Sequence, residues 1–113
     1  MNCKITYAKD FLRNLKRLRK RHRSLDGELA NLIAALRDDP FLGTYIGGNM
    51  RKIRVRISSK GKGKSGGARV ITHTVIVATV GVNVKLLTIY DKTDRENIGE
   101  VTLRKILREE GLR

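Results

Sequence analysis

Residues 56–71 read RISSKGKGKSGGARVI and hold Arg56, Lys60, Lys62, Lys64 and Arg69 without a single acid. Arg54 lies just upstream, and the strand-ending TIYDK adds Tyr90 and Lys92. Such a set suits chemistry on an RNA phosphodiester. The ribose 2′-hydroxyl can attack its own phosphate once a base removes its proton. Cations must then hold the pentacoordinate phosphorane, and an acid must protonate the leaving 5′ oxygen. Crowded lysines can supply a base, because neighbouring positive charge lowers a lysine pKa, while arginine steadies developing negative charge. Tyr90 offers a stacking surface or an acid, and Lys92 another cation. For Lys60, Lys62 and Lys64 the bland alternative is a solvated loop, and for Tyr90 it is sheet packing.

Other chemistries fit less well. Gly63-Lys64-Ser65 matches the end of a nucleotide-binding loop, but Ser58 stands where that motif needs its first glycine. Gly66-Gly67 and the strand-like Arg69-Val70-Ile71 follow, where the motif needs a helix to face the phosphates. His22 and His73 have only Cys3 as a possible soft co-ligand, too few for a zinc site. The acids lack calcium-loop spacing, and nothing specific marks a Ser-His-Asp triad. No cofactor is expected.

The charge distribution points to a polyanion. Formal net charge is +14, and from Pro40 to Tyr90 there is no Asp or Glu. A second basic segment runs from Lys9 to Arg23, with Asp10 as its one acid. A field of this kind draws in nucleic acid by releasing counterions, whatever the base sequence. Within it, Arg54, Arg56 and Lys60 are RNA-binding candidates, and Arg51 and Lys52 are expected to act by charge alone. His73, four residues after Arg69, shares its strand face and joins the RNA-facing set, although a structural histidine is the plainer reading. No helix shows the broad apolar face of a membrane-surface segment. With one cysteine, no apolar run of membrane-spanning length and no signal-peptide stretch, a cytoplasmic protein is expected.

The elements that must position these residues follow from periodicity. The chain of 113 residues suits a single domain, 1–113, and 40% hydrophobic residues suit one modest core. CKITY (3–7) reads as a strand. Phe11, Leu15 and Leu18 recur at helical spacing within 8–22, and Ser24 can cap a second helix carrying Leu25, Leu29, Leu32, Ile33 and Leu36. That helix ends at Asp39-Pro40. FLGTYIGGNM (41–50) reads as a loop. Ile53, Val55 and Ile57 alternate with Lys52, Arg54 and Arg56, giving a strand with its arginines facing outward. Segments 68–79 and 83–91 are apolar on both faces and therefore central, joined by a turn at 80–83. A last helix, 100–110, carries Val101, Leu103, Ile106 and Leu107 and stops at Gly111. The expected fold is α+β in the order β-α-α-β-β-β-α, a mostly antiparallel four-stranded sheet backed by an N-terminal strand and helical hairpin.

GKGKSGGARVI, followed by LLTIYDK, resembles the RelE/ParE superfamily of type II toxin–antitoxin toxins, in particular its HigB/RelE branch. The element order is similar too, so the resemblance spans nearly the whole chain. It implies a RelE-like fold and a ribosome-dependent endoribonuclease that cuts mRNA without metal. It also implies an antitoxin partner, usually a helix-turn-helix protein, with operator DNA met only through the antitoxin complex. By position, Arg69 matches the strand arginine that holds the scissile phosphate, Lys62 and Lys64 the basic loop, and Tyr90 with Lys92 the C-terminal strand residues. Thr72-His73-Thr74 departs from the tyrosines common after RVI in that family. Two alternatives stay open. One is a gyrase-inhibiting toxin of the same fold, which would not need the cationic loop. The other is a non-catalytic RNA- or ribosome-binding protein, against which the 4% aromatic content argues if bases are to be stacked.

Overall fold

Residues 2–58, 67–78 and 81–112 are described by a computed structural model. Strand β1 (Asn2–Tyr7) leads into helix α1 (Lys9–Arg21) and helix α2 (Leu25–Asp38). Strands β2 (Thr44–Gly47), β3 (Met50–Val55), β4 (Ala68–Val77) and β5 (Gly81–Asp91) follow, and helix α3 (Glu100–Glu109) closes the described chain. The strands form one five-stranded sheet in the order β1-β5-β4-β3-β2. β1 runs parallel to β5 and every other pairing is antiparallel.

The α+β class is as expected, but the sheet has five strands, not four. The additional strand, β2, falls inside the stretch read as a loop. It forms a hairpin with β3 in which Gly47 pairs with Met50. The two connecting residues, Gly48 and Asn49, have φ of 58° and 63°. A two-residue turn with both φ positive matches the twist of its flanking strands and favours Gly and Asn. β5 also starts at Gly81, two residues before the expected position, because β1 pairs with that end of it from Asn2↔Gly81 onward.

Burial follows the alternation of the strands. On one face Ile53, Val55, Val70, Val84, Leu86 and Ile89 pack against Phe11, Leu15 and Leu18 of α1 and Leu25, Leu29, Leu32 and Leu36 of α2. On the other, Met50, Ile71, Leu87 and Tyr90 pack against Leu103, Ile106 and Leu107 of α3. Val101 was expected in this second layer. It is instead 83% exposed, since it precedes the apolar stripe formed by the other three. Glu110 ties α3 to the rest: it accepts the Lys9 backbone N–H at 2.9 Å and the Lys85 ammonium at 3.1 Å. The Lys9 bond first, and Lys85 after it, hold this carboxyl below its ordinary pKa.

A bulge in β5 serves the helical side. Ile71 pairs with Thr88 but the next residue, Thr72, pairs with Leu86, so Leu87 is the extra residue. The Thr88 hydroxyl donates to Asp10 of α1 at 2.5 Å, and Asn14 donates to Thr88 at 3.1 Å. Next to this satisfied threonine, Thr72 is fully buried with no hydrogen-bond partner for its hydroxyl among the described residues. An unpaired buried hydroxyl costs more than the methyl group of the same shape. Thr72→Val should therefore raise unfolding stability by about 1 kcal/mol, or roughly 3–6 °C in Tm. A lower midpoint in urea or thermal unfolding would show that the hydroxyl is satisfied in solution.

Candidate phosphate-binding cleft

Arg54, Arg69 and Tyr90 stand in one row across β3, β4 and β5, through the pairs Arg54↔Arg69 and Arg69↔Tyr90. All three therefore point to the α3 side of the sheet. Like charges directly opposite each other on adjacent strands repel. The repulsion is sharpened by burial, since Arg69 is only 7% exposed. Its guanidinium donates from Nη1 to the Ala68 carbonyl at 3.2 Å and forms no ion pair among the described residues. No acid occurs between Arg56 and Arg69 to offer one. A largely buried cation with no ion pair among the described residues is unfavourable, and a bound anion relieves it.

A polar cleft of about 500 Å³ opens over this row. Arg69 and Arg54 line it with Lys52, Lys92, Thr44, Glu96 and Asn97. Several contacts fix its walls. Lys52 donates to the Asn97 side chain at 3.0 Å, joining β3 to the loop between β5 and α3. Lys92 N–H donates to the Gly67 carbonyl at 3.1 Å, joining the end of β5 to the start of β4. Gly67 itself has φ +87°, and a Cβ there would sit 2.6 Å from the Val55 carbonyl oxygen. Only glycine fits, which gives the GGAR sequence a physical reason: it lets the chain enter β4 close against β3 and sets Arg69 opposite Arg54.

Asp91 anchors the same loop from below. It is 2% exposed, and its carboxylate accepts the Thr93 N–H at 3.0 Å and the Thr93 hydroxyl at 2.9 Å. Its other oxygen lies 2.9 Å from His22 Nε2 and 3.3 Å from Arg21, at the end of α1. Its backbone carbonyl accepts the N–H groups of Asp94 and Arg95. The loop carrying Lys92, Glu96 and Asn97 thus starts from a turn held to α1.

The cleft brings together four of the expected residues: Arg69, Arg54, Lys52 and Lys92. Lys60, Lys62 and Lys64 lie outside the described residues. Arg56 is exposed past the end of β3, away from the cleft lining. Arg51, expected to act alongside Lys52, points to the opposite face. There its guanidinium lies 4.9 Å from the Phe41 ring and 5.1 Å from the Tyr45 ring. His73 does share Arg69's face, but it is 5% exposed, paired across to Met50 and Lys85, and does not line the cleft.

Tyr90 is 5% exposed, and its hydroxyl has no well-formed partner among the described residues. Burial raises its pKa, outweighing the opposite pull of the Arg69 and Arg95 charges and of the nearby Ile98 backbone. It stays protonated and packs beside Arg69 on the α3 side of the sheet. Glu96, Asn97 and Thr44 were not expected at the site. Asp91-Lys92-Thr93, where a side-chain carboxylate can turn the backbone, was the available signal that the next residues fold back onto the sheet.

A larger groove of about 1040 Å³ adjoins the cleft, lined by Met50, Ile98, Leu103 and Leu107 among others. Lys52, Arg104 and Arg108 also line it, but Arg104 is paired with Glu100 at 2.7 Å and the floor is apolar. The smaller cleft gathers four cations, Lys52, Arg54, Arg69 and Lys92, in about half the volume. No family model and no curated protein matches the chain.

If the cleft is an anion site, Arg69→Met should have two opposite effects. Removing the uncompensated charge while keeping the packing should raise Tm in anion-free buffer. It should also abolish the rise in Tm that wild type shows on adding millimolar inorganic phosphate at constant ionic strength. Equal phosphate responses in both proteins, by differential scanning fluorimetry, would remove Arg69 from the site.

Proposed function

We propose that the protein is an endoribonuclease of the RelE/ParE type, an mRNA interferase that cuts ribosome-bound message by 2′-oxygen attack on the scissile phosphate. The single observation that carries this reading is the buried Arg69, without an ion pair among the described residues and set against Arg54 in a cleft shared with Lys52 and Lys92. Four cations around a space of this size suit a phosphodiester whose charge grows during reaction. The sequence resemblance agrees with it, GGARVI and TIYDK supplying Arg69 and Lys92 at the cleft.

In this mechanism Arg69 and Arg54 hold the non-bridging oxygens, and their attraction strengthens as the phosphorane forms, so they act chiefly in the transition state. Lys52, held by Asn97, and Lys92 complete the positive wall. The exposed cations Lys16, Arg17, Arg19 and Lys20 of α1 lie across the sheet and suit long-range attraction of ribosomal RNA. As in the proposed family, a helix-turn-helix antitoxin would be the neutralising partner.

Arg69→Ala should lower single-turnover cleavage on programmed 70S complexes by about 10²–10³, as loss of one transition-state donor does. Ribosome binding should persist through the remaining cations, and Arg69→Lys should recover little, since an ammonium lacks the two-pronged geometry. Wild-type cleavage by Arg69→Ala would reject the mechanism. Wild-type protein that binds ribosomes tightly but cuts no transcript would favour a non-catalytic RNA-binding protein.

A further inference from the structure

We infer that Glu96 is the proton acceptor for the attacking 2′-hydroxyl, an assignment that rests on the nuclease reading above. Glu96 is the one carboxylate among the described residues lining the cleft with Arg54, Arg69, Lys52 and Lys92. The other acids of its loop and of the start of α3 are engaged elsewhere. Asp91 is bound by Thr93, His22 and Arg21, Asp94 by Arg21 at 2.6 Å, and Glu100 by Arg104 at 2.7 Å. Glu96 is exposed and makes no ion pair among the described residues, so its oxygens are available to a substrate.

The loop is nevertheless held on both sides of Glu96. Asp91 fixes the turn through Asp94 and Arg95, and the Lys52–Asn97 hydrogen bond fixes the next residue. A carboxylate presented this way can meet a ribose at the cleft while the cations hold its phosphate.

Among the described residues the other groups suit the role less, and the Lys52 ammonium is engaged as a donor to Asn97. Tyr90 is kept protonated by burial and does not line the cleft. His73 is buried two residue pairs along β4 and also lies outside the lining. Thr44 and Asn97 are not bases at neutral pH. The Arg54 and Arg69 guanidinium groups are donors only and have no acceptor.

The step balances with these groups alone. The 2′-oxygen forms a bond to phosphorus as its proton passes to the Glu96 carboxylate, and the bond from phosphorus to the 5′ oxygen breaks. That oxygen leaves with a proton from the Lys92 ammonium, giving a 2′,3′-cyclic phosphate and a 5′-hydroxyl. Water then returns Glu96 and Lys92 to their starting protonation states.

The test uses full-length protein, 70S ribosomes and an in-frame mRNA. Glu96→Gln should lower single-turnover cleavage at saturating protein by about 10²–10⁴, the usual share of a general base. Its affinity for a complex carrying 2′-O-methyl mRNA should stay the same or tighten, since a negative charge has left an anion site. In Glu96→Ala, added formate should restore part of the rate, a response that a merely structural role would not give. Glu96→Gln cutting within threefold of wild type would overturn the assignment, as would a loss of affinity as large as the loss of rate. Wild type that holds the complex and cuts nothing would reject the nuclease reading itself, and this assignment with it.

Discussion

Two arginines facing each other across adjacent strands, one of them buried, form the constraint around which this structure is arranged. Arg54↔Arg69 is a repulsive pair in a place where water cannot fully screen it. The fold holds it by surrounding it with rigid elements. β4 lies in the centre of the sheet, the helical hairpin packs beneath, and α3 closes the neighbouring part of the same face. In the proposed function, stability given up at such a pair would be recovered when an anion enters.

The rest of the cleft depends on close backbone approach. Gly67 brings β4 against β3 where any side chain would strike the Val55 carbonyl. Asp91 converts the end of β5 into a turn and ties that turn to His22 and Arg21 at the end of α1. One buried carboxylate therefore couples the helical hairpin to the loop that carries Lys92, Glu96 and Asn97. The two basic surfaces of the protein, α1 and the cleft, are joined through it.

Much of this was legible in the residue pattern. The period-two alternation of Ile53, Val55 and Ile57 with Lys52, Arg54 and Arg56 assigned strand, core face and cationic face together. The stripe Phe11, Leu15 and Leu18 gave α1, and all three are buried. What the pattern missed was governed by contacts distant in sequence. β2 is mostly exposed and exists because it pairs with β3, while its Gly48-Asn49 turn was a local signal that could have revealed it. Alternation put Arg51 and Lys52 on opposite faces, and grouping them by charge overlooked this. Glu96 could be placed only by the fold, because its loop returns to the sheet through the hydrogen bonds of Asp91 and Asn97. His73 shares the arginine's face, yet burial separates it from the cleft, a distinction that spacing cannot make.

The central claim is that RNA phosphate binds over Arg69, and NMR of isotope-labelled protein tests it most directly. A short 2′-O-methyl RNA would be titrated at about 150 mM salt, where screening suppresses diffuse contacts, while arginine Nε–H and backbone amide signals are followed. The account predicts saturable shifts concentrated at Arg54, Arg69, Lys92 and Asn97, with the Arg69 side-chain signal protected from exchange in the complex. Shifts confined to the exposed cations of α1, with Arg69 unmoved at saturation, would contradict it.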